Sequence, residues 1–153
     1  MGIDLDMHRP AARFGAGRTT TRPVDPLRRA KFYRVSEMPG RMARPRVRGR
    51  YRPLIQFVMC WNGWPEHRAE MLDGPPPEGG DPFHLAAIAS VVHALCARDG
   101  AAVPEWVHRH RAGIEATIAG VPVTTGFGRI VAAGAPPTCA QHGVYFDPGL
   151  LDK

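Results

Sequence analysis

Seven histidines and three cysteines are the side chains of this 153-residue chain best suited to acid–base, nucleophilic or metal chemistry. Cys139 and His142 stand three residues apart, close to Asp147, and superficially match a thiol nucleophile with its base. Such a pair works only where the fold joins the two groups and activates the thiolate. A local pair in a Pro-rich segment supplies neither condition, so no catalytic residue is expected. His108 and His110, two apart in an expected helix, fall on different faces and would not share a metal. Histidines 67, 84, 93 and 142 add no HExxH, no HxH on a strand and no Cys/His cluster at ligand spacing. Exposed or hydrogen-bonded imidazoles are therefore expected, without a metal or other cofactor. Cys60 and Cys96 lie on apolar helical faces and belong to a core. An odd number of widely spaced cysteines without CxxC argues against a disulfide framework and for a reducing cytoplasm.

Binding chemistry has three further candidates. Gly126-Phe127-Gly128 and Gly15-Ala16-Gly17 are too short for phosphate cradles and are expected to be flexible turns. Trp61, Trp64 and Trp106 suit core anchors first and a partner-binding surface second, because aromatics are enriched at interface hot spots. Arg41, Arg44, Arg46, Arg48, Arg50 and Arg52 form a dense basic run flanked by Phe32, Tyr33 and Tyr51. An arm of this kind can hold phosphates through counterion release without sequence specificity.

The elements that must position these groups begin, on the sequence pattern, at Leu54. Leu54 to Trp61 reads as a short apolar helix stopped by Asn62-Gly63. Pro65 suits a first helical position, with Glu66–Leu72 continuing to a stop at Gly74. Asp81 is a good N-cap, Pro82 a good N1, and the helix should run to Asp99 before Gly100. Leu85, Ile88, Val92, Leu95 and Cys96 follow 3–4 spacing and predict its buried stripe. Pro104 is expected to open a helix through Trp106 and His110, resuming over Ile114–Ala119. Val121–Val123 and Arg129–Ala132 are ambiguous, whereas Val144-Tyr145-Phe146 has the composition of a strand.

Charge divides the chain into unlike parts. Residues 1–53 hold 14 Lys+Arg against 4 Asp+Glu, a net +10, and residues 54–153 hold 6 against 10, a net −4. The basic excess therefore resides in the N-terminal segment, and a nucleic-acid-binding folded domain is not implied. That segment lacks hydrophobic periodicity, and Pro23, Pro26 and Pro39 confine any helix over Leu27–Val35. A disordered Arg/Pro-rich tail over 1–53 is expected. Only Lys31 and Lys153 are lysine, a bias typical of GC-rich coding sequence, which weakens arginine content as a sign of RNA or DNA binding. Out-of-frame GC-rich DNA would also encode such a stretch, and Met38 and Met42 offer later starts. No apolar run approaches the roughly 18–20 residues needed to cross a bilayer, so no membrane association is expected. The fold class expected is mainly α: a small helical domain over 54–153 with a short strand or extended C-terminal segment.

Several residues in this order carry a resemblance: Glu70 and Asp73 before Pro75-Pro76-Pro77, Gly80-Asp81, Leu85 with Ile88, and Val103-Pro104 with Trp106. The ending Ala135-Pro136-Pro137, His142-Gly143-Val144-Tyr145-Phe146-Asp147 and Leu150 continues it. Residues 54–153 resemble the C-terminal domain of actinobacterial Xre-type helix-turn-helix regulators. Those are encoded beside nucleotidyltransferase-like proteins in toxin–antitoxin-type pairs. The resemblance implies a non-enzymatic, antitoxin-like or regulatory protein that contacts a cognate nucleotidyltransferase-like partner. Residues 1–53 show no helix-turn-helix, so DNA binding by such a motif does not carry over. The alternative is a nucleic-acid-associated protein that uses the Arg-rich arm.

Overall fold

The computed structural model describes residues 33–44 and 51–153, and the folded unit runs Tyr33–Lys153. Its architecture is mainly α, with one very short strand pair. Ordered structure is therefore present ahead of the boundary expected at residue 53. A 3₁₀ turn at Val35–Glu37 leads into α1, Met38–Ala43, and Val35, Met38 and Met42 are buried. Pro39, expected to confine a helix, lies in the first turn of α1, where a missing N–H breaks no intrahelical bond. Residues 45–50, including Arg46, Arg48 and Arg50, lie outside the described residues, as do 1–32.

Helix α2, Arg52–Gly63, starts two residues before the expected Leu54, with Pro53 in its first turn. Leu54, Phe57, Val58 and Trp61 recur at 3–4 spacing and make its buried side. Gly63 ends it, and the Trp64 N–H closes back on the Cys60 carbonyl at 2.9 Å. A 3₁₀ turn at Pro65–His67 and the short α3, Arg68–Met71, fill the stretch expected to be helical, with Met71 fully buried.

Helix α4, Pro82–Asp99, has the expected limits. Asp81 Oδ1 accepts from the Phe83 and His84 N–H groups at 2.8 and 3.3 Å, and Gly100 takes the left-handed conformation at φ 69°. The expected stripe is too narrow, because every residue from Leu85 to Val92 is buried, as are Ala94, Leu95 and Cys96. The faces away from the Leu/Ile stripe carry Ala86, Ala87, Ser90 and Ala94, small enough for neighbours to approach closely. α1, α2 and the C-terminal turn pack on it, as do the 3₁₀ turn Glu105–Arg109, the short helix Cys139–His142 and the strand Val144–Tyr145. α4 is the central rod of the core.

The region after Pro104 departs from expectation. Residues 105–109 form a 3₁₀ turn that buries Trp106 and Val107. No helix resumes over Ile114–Ala119, where strand β1, Ala116–Thr117, pairs in parallel with β2, Val144–Tyr145. The register aligns Ala116 with Val144 and Thr117 with Tyr145. Ile118 N–H reaches the Tyr145 carbonyl at 2.8 Å, and Gly120 turns the chain at φ 91°. Backbone partners from a distant strand outweigh the local helical pattern, as the β-branched Ile114, Thr117 and Ile118 favour. A parallel pair requires a crossover. Here the crossover contains α5, Gly126–Gly134, and α6, Cys139–His142. The chain closes with a 3₁₀ turn at Pro148–Asp152, burying Leu150 and Leu151 against α2 and α4. No helix among the described residues is long and apolar enough to cross a membrane.

Candidate functional site

Two features outside the hydrophobic core have the makings of a site: an imidazole cluster between α4 and α6, and the outer face of α5.

The cluster centres on His142, the final residue of α6 and fully buried. Gly143 follows at φ 68°, a conformation that ends the helix and returns its N–H to the Cys139 carbonyl at 2.9 Å. The His142 Nδ1 lies 2.8 Å from the His110 carbonyl oxygen, and its Nε2 lies 2.9 Å from His93 Nδ1. A carbonyl only accepts, so Nδ1 of His142 carries the proton and Nε2 of the neutral ring is an acceptor. His93 Nδ1 must then be the donor, which leaves the lone pair of neutral His93 on its outer Nε2. One ordered chain follows: His93 donates to His142, and His142 donates to the His110 carbonyl. The Ala112 N–H bonds the His142 carbonyl at 2.9 Å, so loop and helix are clipped twice. The ring of His108 meets His93 edge-on with centroids 5.3 Å apart, and its Nδ1 is 2.6 Å from Gln141 Nε2.

Electrostatics favour the neutral rings. Burial first lowers the pKa of His142, opposed by the bond to His110 and reinforced by the neighbouring His93, His108 and His110. Burial also lowers His93 and His110, with His108 and Arg109 respectively adding to the effect.

Cys139 is fully buried, and burial raises its pKa. Both ring nitrogens of His142 are committed elsewhere, so no base faces the thiol. The superficial Cys139/His142 pattern is not a nucleophile–base pair. Cys60 and Cys96 are buried, as expected, and burial pushes Cys96 up to about 11. Among the described residues no group of three His, Cys, Asp or Glu side chains is placed to hold a metal ion.

The tryptophans divide. Trp61 is fully buried, donates its indole N–H to Asp99 at 2.7 Å and lies against the Arg68 guanidinium, which puts it beyond a partner's reach. Hydrogen bonding from Arg98 is the leading cause that brings Asp99 down to about 2, with Trp61 and Arg68 contributing. Trp106 is also buried, and only Trp64 is partly open, against His67. Of the basic run, Arg41 pairs with Glu37 at 3.1 Å and covers the Tyr33 ring, while Arg44 and Arg52 are exposed.

The second feature was hidden in a stretch expected to be a flexible turn and an ambiguous segment. Gly126-Phe127-Gly128 is the first turn of α5, and the Thr125 hydroxyl caps it by accepting the Gly128 N–H at 3.0 Å. Gly128 is required by contact: a Cβ there would lie 2.0 Å from the Pro122 carbonyl oxygen. The glycine seats α5 directly on the segment beside β1, and the opposite side of the helix is left outward. Phe127 is 62% exposed and Ile130 73% exposed, three apart on one face. Thr125 as N-cap with Phe127 and Ile130 at that spacing was the available signal. The pairing of His93 with His142 has none, because 49 residues separate them.

No family model, curated protein or solved structure matches this chain.

Proposed function

We propose that this chain is a non-enzymatic protein-binding module, antitoxin-like or regulatory, whose docking surface is the outward face of α5. The observation that carries the reading is the exposure of Phe127 and Ile130 on a capped helix seated against the fold. A solvent-facing helix ordinarily turns polar residues outward. Arg129 is the only charged residue among the nine of α5. Large apolar side chains grouped on a rigid surface mark an interaction site. The resemblance of residues 54–153 to the C-terminal domain of Xre-type regulators supports a nucleotidyltransferase-like partner in the cytoplasm. Nucleic-acid association through the Arg-rich arm is the competing reading, supported by the +10 charge of residues 1–53.

The test is binding of the full chain, at low and physiological salt, to a nucleotidyltransferase-like protein whose gene adjoins its own, and the lack of such a gene counts against this partner. The Phe127→Ser/Ile130→Ser double variant is compared with Arg44→Ser/Arg52→Ser. Docking through α5 predicts binding that salt barely alters and that the first variant weakens at least about 100-fold, as loss of two hot-spot side chains would. Failure to bind that protein, with duplex DNA bound steeply salt-dependently and weakened by the arginine variant, favours the competing reading.

A further inference from the structure

We propose that the His93–His142 pair is an acid-sensitive latch that holds α6 and strand β2 against α4 and releases them when both rings take up protons. The inference rests on the geometry of the pair and is independent of the docking face.

The hydrogen-bond chain leaves two places for added protons, and they are not equivalent. A proton on His93 enters at the outer Nε2 of a partly exposed ring, and the bond to His142 survives. A proton on His142 enters at Nε2, where it opposes the His93 Nδ1–H across 2.9 Å. Two donors then face each other with no acceptor, and a cation is enclosed in a fully buried ring. The fold accommodates the first proton and rejects the second.

The surrounding groups offer that second charge no compensation. The 3₁₀ turn and the residue after it bring His108, Arg109 and His110. α6 contributes Cys139, whose pKa is raised rather than lowered. The strand side brings Arg111, Glu115 and Tyr145, but Glu115 is taken by Arg111 at 2.8 Å and by the Tyr145 hydroxyl at 3.1 Å. Glu105 lies 3.8 Å from Arg109. Beyond His93, α4 carries Cys96 and, at its end, Arg98 and Asp99, and Asp99 is held by Arg98 and Trp61. Glu105, Glu115 and Asp99 each have a cationic partner of their own, and Asp81 and Asp147 accept from backbone N–H groups.

The direction with pH follows. Both folded values lie below the ordinary 6.5. The closed pair therefore binds fewer protons than the open one below that pH, and the latch is fully effective above it. As pH falls well below 6.5, opening steepens toward about 100-fold per unit while both rings are withheld from protonation, because each withheld proton then contributes a factor of ten. Once His93 is protonated within the closed pair, His142 alone sustains about tenfold per unit.

Amide hydrogen exchange on the full chain, between about pH 7.5 and 4.5 and corrected for intrinsic rates, tests this directly. The reporters are the Ala112, Ala116 and Gly143 amides, which bond the carbonyls of His142, Gly143 and Cys139. Their protection should hold above pH 6.5 and fall increasingly steeply below it, while amides in the middle of α2, Val58 to Trp61, keep theirs. His93→Gln keeps a donor toward His142 but takes no proton, so its slope should be the shallower at every pH below 6.5 and never exceed about tenfold per unit. Three results would overturn the latch: flat protection across the range, junction amides falling in step with α2, or an unchanged slope in His93→Gln. The unmodified chain decides the first two even if the variant fails to fold.

Discussion

A glycine and an indole show how single atoms govern this molecule. Gly128 faces the Pro122 carbonyl so closely that Gly128→Ala places a methyl 2.0 Å from that oxygen, and neither backbone is a flexible side chain able to move aside. Overpacking of this kind costs about 1–3 kcal/mol. Urea unfolding should register that loss, and an unchanged midpoint would mean that α5 is not seated on Pro122. Trp61→Phe keeps most of the ring but removes the N–H that bonds Asp99 at 2.7 Å. A cost of about 1.5–3 kcal/mol is expected for a bond to a charged carboxylate. The Asp99 carboxyl, held at about 2 first by Arg98, should titrate higher in the variant because one of its acid-strengthening donors is gone. Carboxyl chemical shifts followed from neutral to acid pH check the direction. The stabilisation carried by Asp99 is full above its ordinary 3.8 and disappears as pH falls toward 2, so acid unfolding of the variant should begin earlier.

Among the elements, α4 and α5 are opposites: one has almost no outer face and the other almost no inner one. Ile88→Ala or Leu95→Ala should cost about 2–5 kcal/mol, because each empties a site enclosed on all sides. Phe127→Ser and Ile130→Ser should each move stability by no more than about 0.5 kcal/mol, since both side chains face solvent. Thermal melts of the four single variants distinguish these cases, and a large loss at Phe127 would show that it is a core residue. Asp81, Pro82 and Gly100 mark α4 in the sequence because caps are local chemistry, and the apolar runs of α2 and Val144-Tyr145 are local as well. What is not local was not legible. Ala116–Thr117 becomes a strand only because Val144–Tyr145 lies beside it, and His142 becomes a buried acceptor only because α4 presents His93. Met38 and Met42 were readable at helical spacing, but Pro39 and the arginines around them gave that stretch the composition of a solvated tail.

For the molecule as a whole, the last turn is a closure. Asn62 Nδ2 reaches the Leu151 carbonyl at 2.9 Å, and Arg98 reaches the same oxygen at 2.6 Å. A chain lacking residues 148–153 should therefore unfold at lower temperature and with a broader transition, because α2 and α4 lose a common partner. A sharp melt at the parental temperature would show that the turn is an ornament on a finished core. The same closure has a meaning during synthesis. Ser90 on α4 waits for the Val144 carbonyl 54 residues downstream, and Asn62 waits for Leu151 across 89. While ribosomes add that stretch, α4 has its apolar surface without most of its cover, so the nascent polypeptide is a substrate for holding chaperones until residues 144–153 leave the exit tunnel. A premature stop anywhere after α4 would release an aggregation-prone fragment rather than a shortened but working protein.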